Sequence, residues 1–209
     1  MARSKASSAT RDVQSSFCIT PDPEAAAGRR ALLGATTAGV VLAGLRDAAA
    51  QADPATARPK HGDHLIHAYG EKEGQPLQPD DLAVGGPQVL AWAKDPASGT
   101  VRSGSRLNLV LLIRMDPATL QDQTRARAAD GIVAYSAICT HEQCPVADFK
   151  KEKDALHCPC HGSEFDPAKG GVVVGGPAPR ALPALPVGLK DGTLVVAGNF
   201  TSRVGGVRT

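Results

Sequence analysis

Two short stretches rich in cysteine and histidine constrain this sequence more than any other feature. The first, CTHEQC, runs from Cys139 to Cys144, and the second, CPCHGS, runs from Cys158 to Ser163. Together they contain four of the five cysteines and two of the six histidines in the 209-residue chain. Because these side chains bind metals or form disulfides, we expect the fold to bring the two stretches together.

The spacing of these residues can be compared with several known chemistries. Covalent haem attachment requires C-x-x-C-H, and Cys158–His161 has one residue too few between its cysteines. A four-ligand zinc site would leave two of the six residues unused. A Cys–His nucleophilic pair is compatible with the residue types, but it would not explain the duplication. A [2Fe–2S] cluster that takes one cysteine and one histidine from each stretch gives the duplication a purpose.

At these residues the sequence resembles the Rieske iron–sulfur proteins. The motif CTH followed by Cys144, and then CPCHGS, carries the resemblance, and GGPAP at Gly175–Pro179 is similar to that family's proline loop. The resemblance spans about residues 136–179. It implies an all-β fold, an antiparallel β-sandwich with a small cluster-binding subdomain that carries loops 139–144, 158–163 and 175–179.

The resemblance also implies a role for each residue of the two motifs. It implies four cluster ligands, two cysteines on the inner iron and two histidines on the outer one: Cys139, Cys158, His141 and His161. Cys144 and Cys160 are then expected to form a disulfide. Ser163 matches the serine whose hydroxyl bonds a bridging sulfide. Phe165 stands where high-potential members have a tyrosine that donates to a ligand sulfur.

Histidine ligation has a consequence for the redox chemistry. Replacing two thiolates by neutral imidazoles makes the cluster less negative, which raises the reduction potential to ~ −150 to +300 mV, from about −400 mV with four cysteines. The outer imidazole nitrogens also titrate, so electron uptake can be coupled to proton uptake. Quinol oxidation needs both, because a quinol must give up electrons and protons.

The N-terminal residues 1–52 have the pattern of an export signal. Arg29 and Arg30 precede Ala31–Leu45, a run of fifteen uncharged residues, and Ala50–Ala52 follows as a small-x-small cleavage site. The paired arginines indicate the twin-arginine route. A retained helical membrane anchor is the alternative, although a spanning helix needs ~20 apolar residues. Both interpretations place the rest of the chain in the periplasm or on the periplasmic side of the inner membrane. Cys18 lies within this leader and has no assigned role.

The remaining residues predict a linker and one β domain. Residues 53–87 are polar and broken by proline and glycine, so we expect a linker or wrapping arm there. Residues 88–209 are assigned to the Rieske domain, with strands over 88–92, 106–114 and 131–138 and a hairpin turn at Asp191-Gly192. Residues 116–130 predict a short helical insertion capped by Asp116. The charged run 149–154 is expected to be a solvated turn.

The sequence gives several hypotheses for the electron-transfer partner. The positive charge surplus is confined to residues 1–52, so nothing indicates nucleic-acid binding. The first hypothesis is an iron–sulfur subunit that carries single electrons in a respiratory quinol-to-cytochrome-c oxidoreductase, beside cytochrome b and c partners. Against it, Glu142 and Gln143 replace the apolar residue and glycine typical of that loop tip.

The alternative is the small subunit of a periplasmic molybdenum oxidase such as arsenite oxidase, with a soluble cytochrome as acceptor. An oxygenase component fits poorly with the extra cysteine pair, and a zinc-stabilised binding module is the non-redox alternative. In each redox hypothesis the chain is an electron-transfer subunit and not an enzyme by itself.

Overall fold

Within residues 53–206, the regular structure consists of ten β-strands and a single short α-helix, apart from isolated 3-10 turns. The structure, a computed structural model, describes residues 53–206. The strands are β1 His64–His67, β2 Val89–Lys94, β3 Val110–Arg114, β4 Ile132–Ser136, β5 Asp148–Lys150, β6 Ala155–Cys158, β7 Ser163–Asp166, β8 Val172–Gly175, β9 Val187–Lys190 and β10 Thr193–Val196. The helix, α1, is Asp122–Arg125. The expected leader, with Cys18, lies outside the residues described. Within 53–206 no helix has the length and hydropathy needed to cross a membrane.

The larger sheet has six antiparallel strands in the order β4-β3-β2-β1-β10-β9. On β3 the residues Val110–Ile113 are all apolar and buried, and alternate residues of a strand point to opposite faces of the sheet. On β3, Leu111 and Ile113 enter one apolar cluster, whereas Val110 and Leu112 enter a second. The sheet is therefore buried on both sides, which explains why its strands appear in the sequence as continuous apolar runs.

The smaller sheet has four antiparallel strands in the order β5-β6-β7-β8 and carries the second cysteine–histidine stretch. Leu156 on β6 and Phe165 on β7 are fully buried in the same apolar cluster as Leu111 and Ile113 of the larger sheet. The hydroxyl of Tyr135 on β4 donates to the carbonyl of Pro167 at 2.6 Å, which adds a polar link between the two parts. The observed architecture, two antiparallel sheets, confirms the all-β prediction.

Residues 53–87 are not a simple linker, because they contain β1. This strand pairs with β2 on one side and with β10 on the other, so it lies inside the larger sheet. Asp63, directly before β1, forms a buried ion pair with Arg102, whose Nε lies 2.5 Å from the carboxylate. Upstream of Asp63, the carbonyls of Thr56 and Ala57 accept hydrogen bonds from the side chain of Asn108. These contacts attach the arm to the domain.

Two other local predictions have different outcomes. The Asp191-Gly192 turn is confirmed, since both residues have positive φ and join β9 to β10. The helical insertion is confirmed in part: Asp116 accepts from the amide of Ala118 and caps a 3-10 turn over Pro117–Thr119, and α1 follows at Asp122–Arg125. The other residues of 116–130 are not helical.

Candidate metal centre

The first cysteine–histidine stretch forms a loop directly after β4. Its base is closed by the amide of Cys139, which donates to the carbonyl of Cys144 at 2.8 Å. The amide of Val146 donates to the carbonyl of Ala137, also at 2.8 Å. These bonds turn the chain back on itself. As a result, the Cys139 side chain is buried while the intervening residues form the tip.

The second stretch is the turn of the β6–β7 hairpin. Cys158 ends β6 and lies directly opposite Ser163, which begins β7. The amide of Gly162 donates to the carbonyl of Cys158 at 3.0 Å and closes the turn. Pro159 and Cys160 are exposed at the turn, whereas Cys158 is buried at its base. The two loops therefore have the same layout, with one buried cysteine at each base.

The four expected cluster ligands come together as a buried pair and an outer pair. The thiols of Cys139 and Cys158 are 1% exposed, are not in disulfides, and are near enough to interact. Nearer the surface, Nδ1 of His141 lies 3.2 Å from Nδ1 of His161. The imidazole rings are perpendicular, with centroids 4.8 Å apart. His161 is exposed and His141 is half-buried.

The surroundings of the Cys158 thiol have opposing effects on its pKa. Burial, the largest effect, raises its pKa. The backbone amides of Cys160 and His161 donate to the sulfur and lower the pKa, whereas the adjacent Cys139 raises it, and the pKa is raised overall. Two N–H donors on one sulfur suit a thiolate bound to a cation, because a cation removes the cost of burying the negative charge.

A disulfide between Cys144 and Cys160 joins the two loops, as the resemblance implied. The Cα atoms of these cysteines are 6.4 Å apart. The sulfurs of Cys144, Cys158 and Cys160 all lie within 4.8 Å of one another. Since two of these three are bonded to each other, this trio is not a metal site. Among the described residues, the thiols outside the disulfide are those of Cys139 and Cys158.

The proline loop contacts both cysteine–histidine loops. The buried hydroxyl of Ser163 accepts from the amide of Ala178 at 3.2 Å, which leaves its own hydrogen free to donate. Gly176 packs so closely that a Cβ there would lie 2.5 Å from the Cα of Ser163. On the other side, the hydroxyl of Thr140 donates to the carbonyl of Arg180 at 2.6 Å. The loop thus borders the site from a third direction.

Several residues around the site were not identified from the sequence. The expected solvated turn holds Lys150 and Lys153, and both bind Glu164 of β7, at 2.7 and 3.0 Å. The hydrogen bonds from Lys150 and Lys153 lower the pKa of Glu164 to about 2. Arg180 and the chain's last described residues also approach the first loop. The charged run at 149–154 was the only sequence signal for Lys150 and Lys153. No sequence motif marks Arg180 or the last described residues.

The donor set fits a [2Fe–2S] cluster with mixed ligation. Two thiols are buried side by side, two imidazole nitrogens face each other above them, and a disulfide fixes the loops. Such a cluster takes Cys₂ on one iron and His₂ on the other. The residues therefore suit this group by chemistry as well as by spacing.

Comparison with known proteins agrees with this geometry. A family model described as the Rieske [2Fe-2S] domain matches residues 91–186. The cytochrome bc1 complex Rieske iron-sulfur subunit of Streptomyces lividans is 36% identical over 138 residues, which cover 63% of this chain and 79% of that protein. Its counterpart in Streptomyces coelicolor is 34% identical over 196 residues, which cover 85% of this chain. A Rieske subunit of Haloferax mediterranei, named for a respiratory nitrate reductase, is 40% identical over 106 residues, or 50% of this chain and 47% of that protein.

These similarities differ in extent. The chain spans 51% of the S. coelicolor subunit and 38% of the corresponding Mycobacterium tuberculosis subunit. The match to the S. lividans subunit, in contrast, covers more than two thirds of that protein, 79% of its length. With the paired motifs, the disulfide and the two-sheet fold, it shows that this chain belongs to the Rieske [2Fe-2S] family.

Proposed function

We propose that the protein carries single electrons through a [2Fe–2S] cluster held by Cys139, His141, Cys158 and His161. The two buried thiols would bind the inner iron and the two imidazoles the outer one. The cluster, when bound, supplies a one-electron couple at ~ −150 to +300 mV. The observation that carries this proposal is the buried thiol pair beneath a pair of facing, partly exposed imidazoles.

The surrounding residues make this site suitable for electron transfer to a partner. The thiols lie in an apolar cluster, which excludes water from the inner side. His161 is exposed, so electrons can pass to a docked protein through the imidazole edge. Ser163 is placed to donate from its hydroxyl toward the site while the proline loop holds its oxygen.

The partner we favour is a quinol-oxidising complex with cytochrome b and c subunits. Support comes from the relatives that are named as cytochrome bc1 subunits and from the proline loop. The twin-arginine leader and the disulfide support a periplasmic location, in solution or attached to the inner membrane. We assign residues 1–52 to the leader and 88–209 to the Rieske domain, with 53–87 as an arm that contributes β1 to the larger sheet of that domain.

A molybdenum oxidase partner remains the second candidate because of Glu142. This residue is exposed at the loop tip beside His141. A carboxylate is costly to bury in an apolar quinol pocket but is compatible with a polar protein–protein contact.

Paramagnetic resonance of the reduced protein tests the cluster directly, because a zinc-bound module would give no signal. We expect a Rieske-type signal from the wild type, none from Cys158→Ser, and an unchanged signal from His64→Ala, a histidine on β1. A wild type that binds zinc and shows no signal would overturn the proposal.

Purification of the native assembly distinguishes the two partners. The tagged full-length protein is isolated from gently solubilised membranes and from the periplasmic fraction of the same cells. Co-purification of a b-type haem protein from membranes supports the first partner. A molybdenum-containing subunit in the complex instead would establish the second.

A further inference from the structure

The last described residues of the chain cross back over the loop that holds His141. We call residues 199–206 the strap. The amide of Thr201 donates to the carbonyl of Ala184 at 2.9 Å, and the Thr201 hydroxyl accepts from the Ala184 amide at 2.9 Å. Beyond this anchor, Arg203 is exposed, but Val204, Gly205 and Gly206 are buried. The strap is therefore attached at Thr201 and buried again where it meets the loop.

The contact between strap and loop leaves no free space. A Cβ at Gly206 would collide with the carbonyl oxygen of His141. A Cβ at Gly205 would lie 3.3 Å from Oε1 of Gln143. Two adjacent glycines thus allow the strap backbone to lie directly on the loop backbone, and the Gln143 side chain fills the space beside them.

Arg180 holds the strap and the loop together. Its Nη2 donates to the carbonyl of Gly205, and its own carbonyl accepts from the hydroxyl of Thr140, next to Cys139. Its Nη1 is buried with no hydrogen-bond partner among residues 53–206. An apolar side chain would fill this place without an unpaired donor, so packing alone does not account for the guanidinium.

We infer that Arg180 is a positioning residue that locks the strap over the backbone of His141–Gln143. The first loop is then held on three sides: by the disulfide at Cys144, by Thr140 on the proline-loop side, and by the strap. The strap fixes the backbone that carries His141 and leaves Glu142 as the exposed residue of the tip. Its importance for cluster retention rests on the proposed role of His141 as a ligand.

The variants separate the strap from the rest of the fold. Arg180→Ala removes the bond to Gly205 but keeps the backbone carbonyl that Thr140 uses. Gly206→Ala displaces the strap by a steric route that is independent of charge. Arg180→Lys can still donate one hydrogen bond and is the rescue variant. Arg203→Ala removes an exposed arginine from the same strap and is the matched control.

The first readout is hydrogen–deuterium exchange over residues 140–143 in the cluster-free, disulfide-bonded protein. We expect about tenfold faster exchange in Arg180→Ala and Gly206→Ala, because a charge-assisted bond or a close contact is lost. Arg180→Lys should be intermediate and Arg203→Ala unchanged. Wild-type exchange in both disruptive variants overturns the inference, and so does faster exchange spread evenly over both sheets.

The second readout is the loaded protein. We expect the visible absorbance of the cluster to decay several-fold faster in Arg180→Ala and Gly206→Ala than in Arg203→Ala, with shifted g-values in paramagnetic resonance. Unchanged decay and g-values would contradict the positioning role. If the wild type binds no cluster, the proposed function fails, whereas the exchange experiment still decides whether the strap fixes the loop.

Discussion

Among single residues, Gln143 shows how the first loop differs from that of quinol-oxidising relatives, which typically have glycine there. Its φ of 59° lies in the left-handed region that glycine adopts most easily. Its amide donates to the carbonyl of Cys139, and its own carbonyl accepts from Arg106 at 2.8 Å. These bonds and the overlying strap offset a backbone strain of about 1 kcal/mol. A side chain larger than glycine is thus held at a backbone position with positive φ.

Phe165→Tyr is expected to raise the reduction potential. Phe165 is fully buried in the apolar cluster that contains Cys139 and Cys158, and it cannot donate a hydrogen bond. A hydroxyl that donates to a ligand sulfur stabilises the reduced, more negative state, so we expect a rise on the order of 50 mV. Redox titration followed by paramagnetic resonance measures it. The control is Phe149→Tyr on β5, which adds the same hydroxyl elsewhere in the smaller sheet and should leave the reduction potential unchanged. Equal potentials for the wild type and Phe165→Tyr would contradict the expectation.

Among the elements, β1 and β5 were not indicated by the sequence pattern, and β1 shows the reason. Its four residues HLIH include two histidines, and the segment around it is rich in proline and glycine, which favours a loop. In the fold, Leu65 and Ile66 are buried and both edges of the strand are paired. The strand is defined by partners distant in the sequence, so local periodicity did not reveal it.

Asp81 links the 3-10 turn at Pro79–Asp81 to β1 through His67. Removing its carboxylate should destabilise the fold at every pH at which this group is ionised. Burial alone would raise the pKa of Asp81, but hydrogen bonds from Lys72, the Gln78 amide and His67 lower it to about 2. Because this is below the ordinary value of 3.8, the stabilisation is complete above pH 3.8 and is lost as the pH falls to about 2. We expect Asp81→Asn to cost about 1–2 kcal/mol near neutral pH.

Urea denaturation at several pH values checks this expectation. The difference between Asp81→Asn and the wild type should disappear toward pH 2. Asp80→Asn removes the same charge from an exposed neighbour and is the control. A deficit of equal size at every pH would show that the carboxylate charge is not its cause.

At the scale of the whole molecule, the metal centre depends on how the two sheets are joined. The first loop leaves the larger sheet and the second belongs to the smaller one, so the four proposed ligands meet only when both sheets share a core. Tyr135 spans this junction: its ring packs against Gly171, and its hydroxyl reaches Pro167. Burial raises the pKa of Tyr135, so the hydroxyl keeps its proton and donates.

Tyr135→Phe should therefore weaken the junction. The substitution keeps the ring but leaves the Pro167 carbonyl without its donor, which costs about 1–3 kcal/mol. The free energy of unfolding in urea measures the loss. Tyr69→Phe removes a hydroxyl from an exposed tyrosine and should have little effect. An equal effect of the two substitutions would mean that the bond to Pro167 is unimportant.

The sequence indicated that the two cysteine–histidine stretches meet and share a disulfide, but it did not indicate the residues that support them. The cysteine and histidine spacings are specific because metal and disulfide geometry restrict them. The apolar runs of β2, β3 and β4 indicated strands because the sheet is buried on both faces. Arg180 and Gly206, in contrast, are 39 and 65 residues away from His141, and nothing in their local sequence indicates the contact. The same is true of the buried pair formed by Asp63 and Arg102.

The disulfide has a consequence for how the protein matures. In the cluster-free chain, the free thiol of Cys158 lies within 4.8 Å of both disulfide sulfurs, close enough for thiol–disulfide exchange. The attacking species is the thiolate, and burial opposes it by raising the pKa of Cys158. Iron bound to Cys158 would remove the attacking thiol altogether. Iron held by Cys158 as proposed would thereby also protect the Cys144–Cys160 pairing, and without iron the exchange would be favoured as rising pH forms the thiolate.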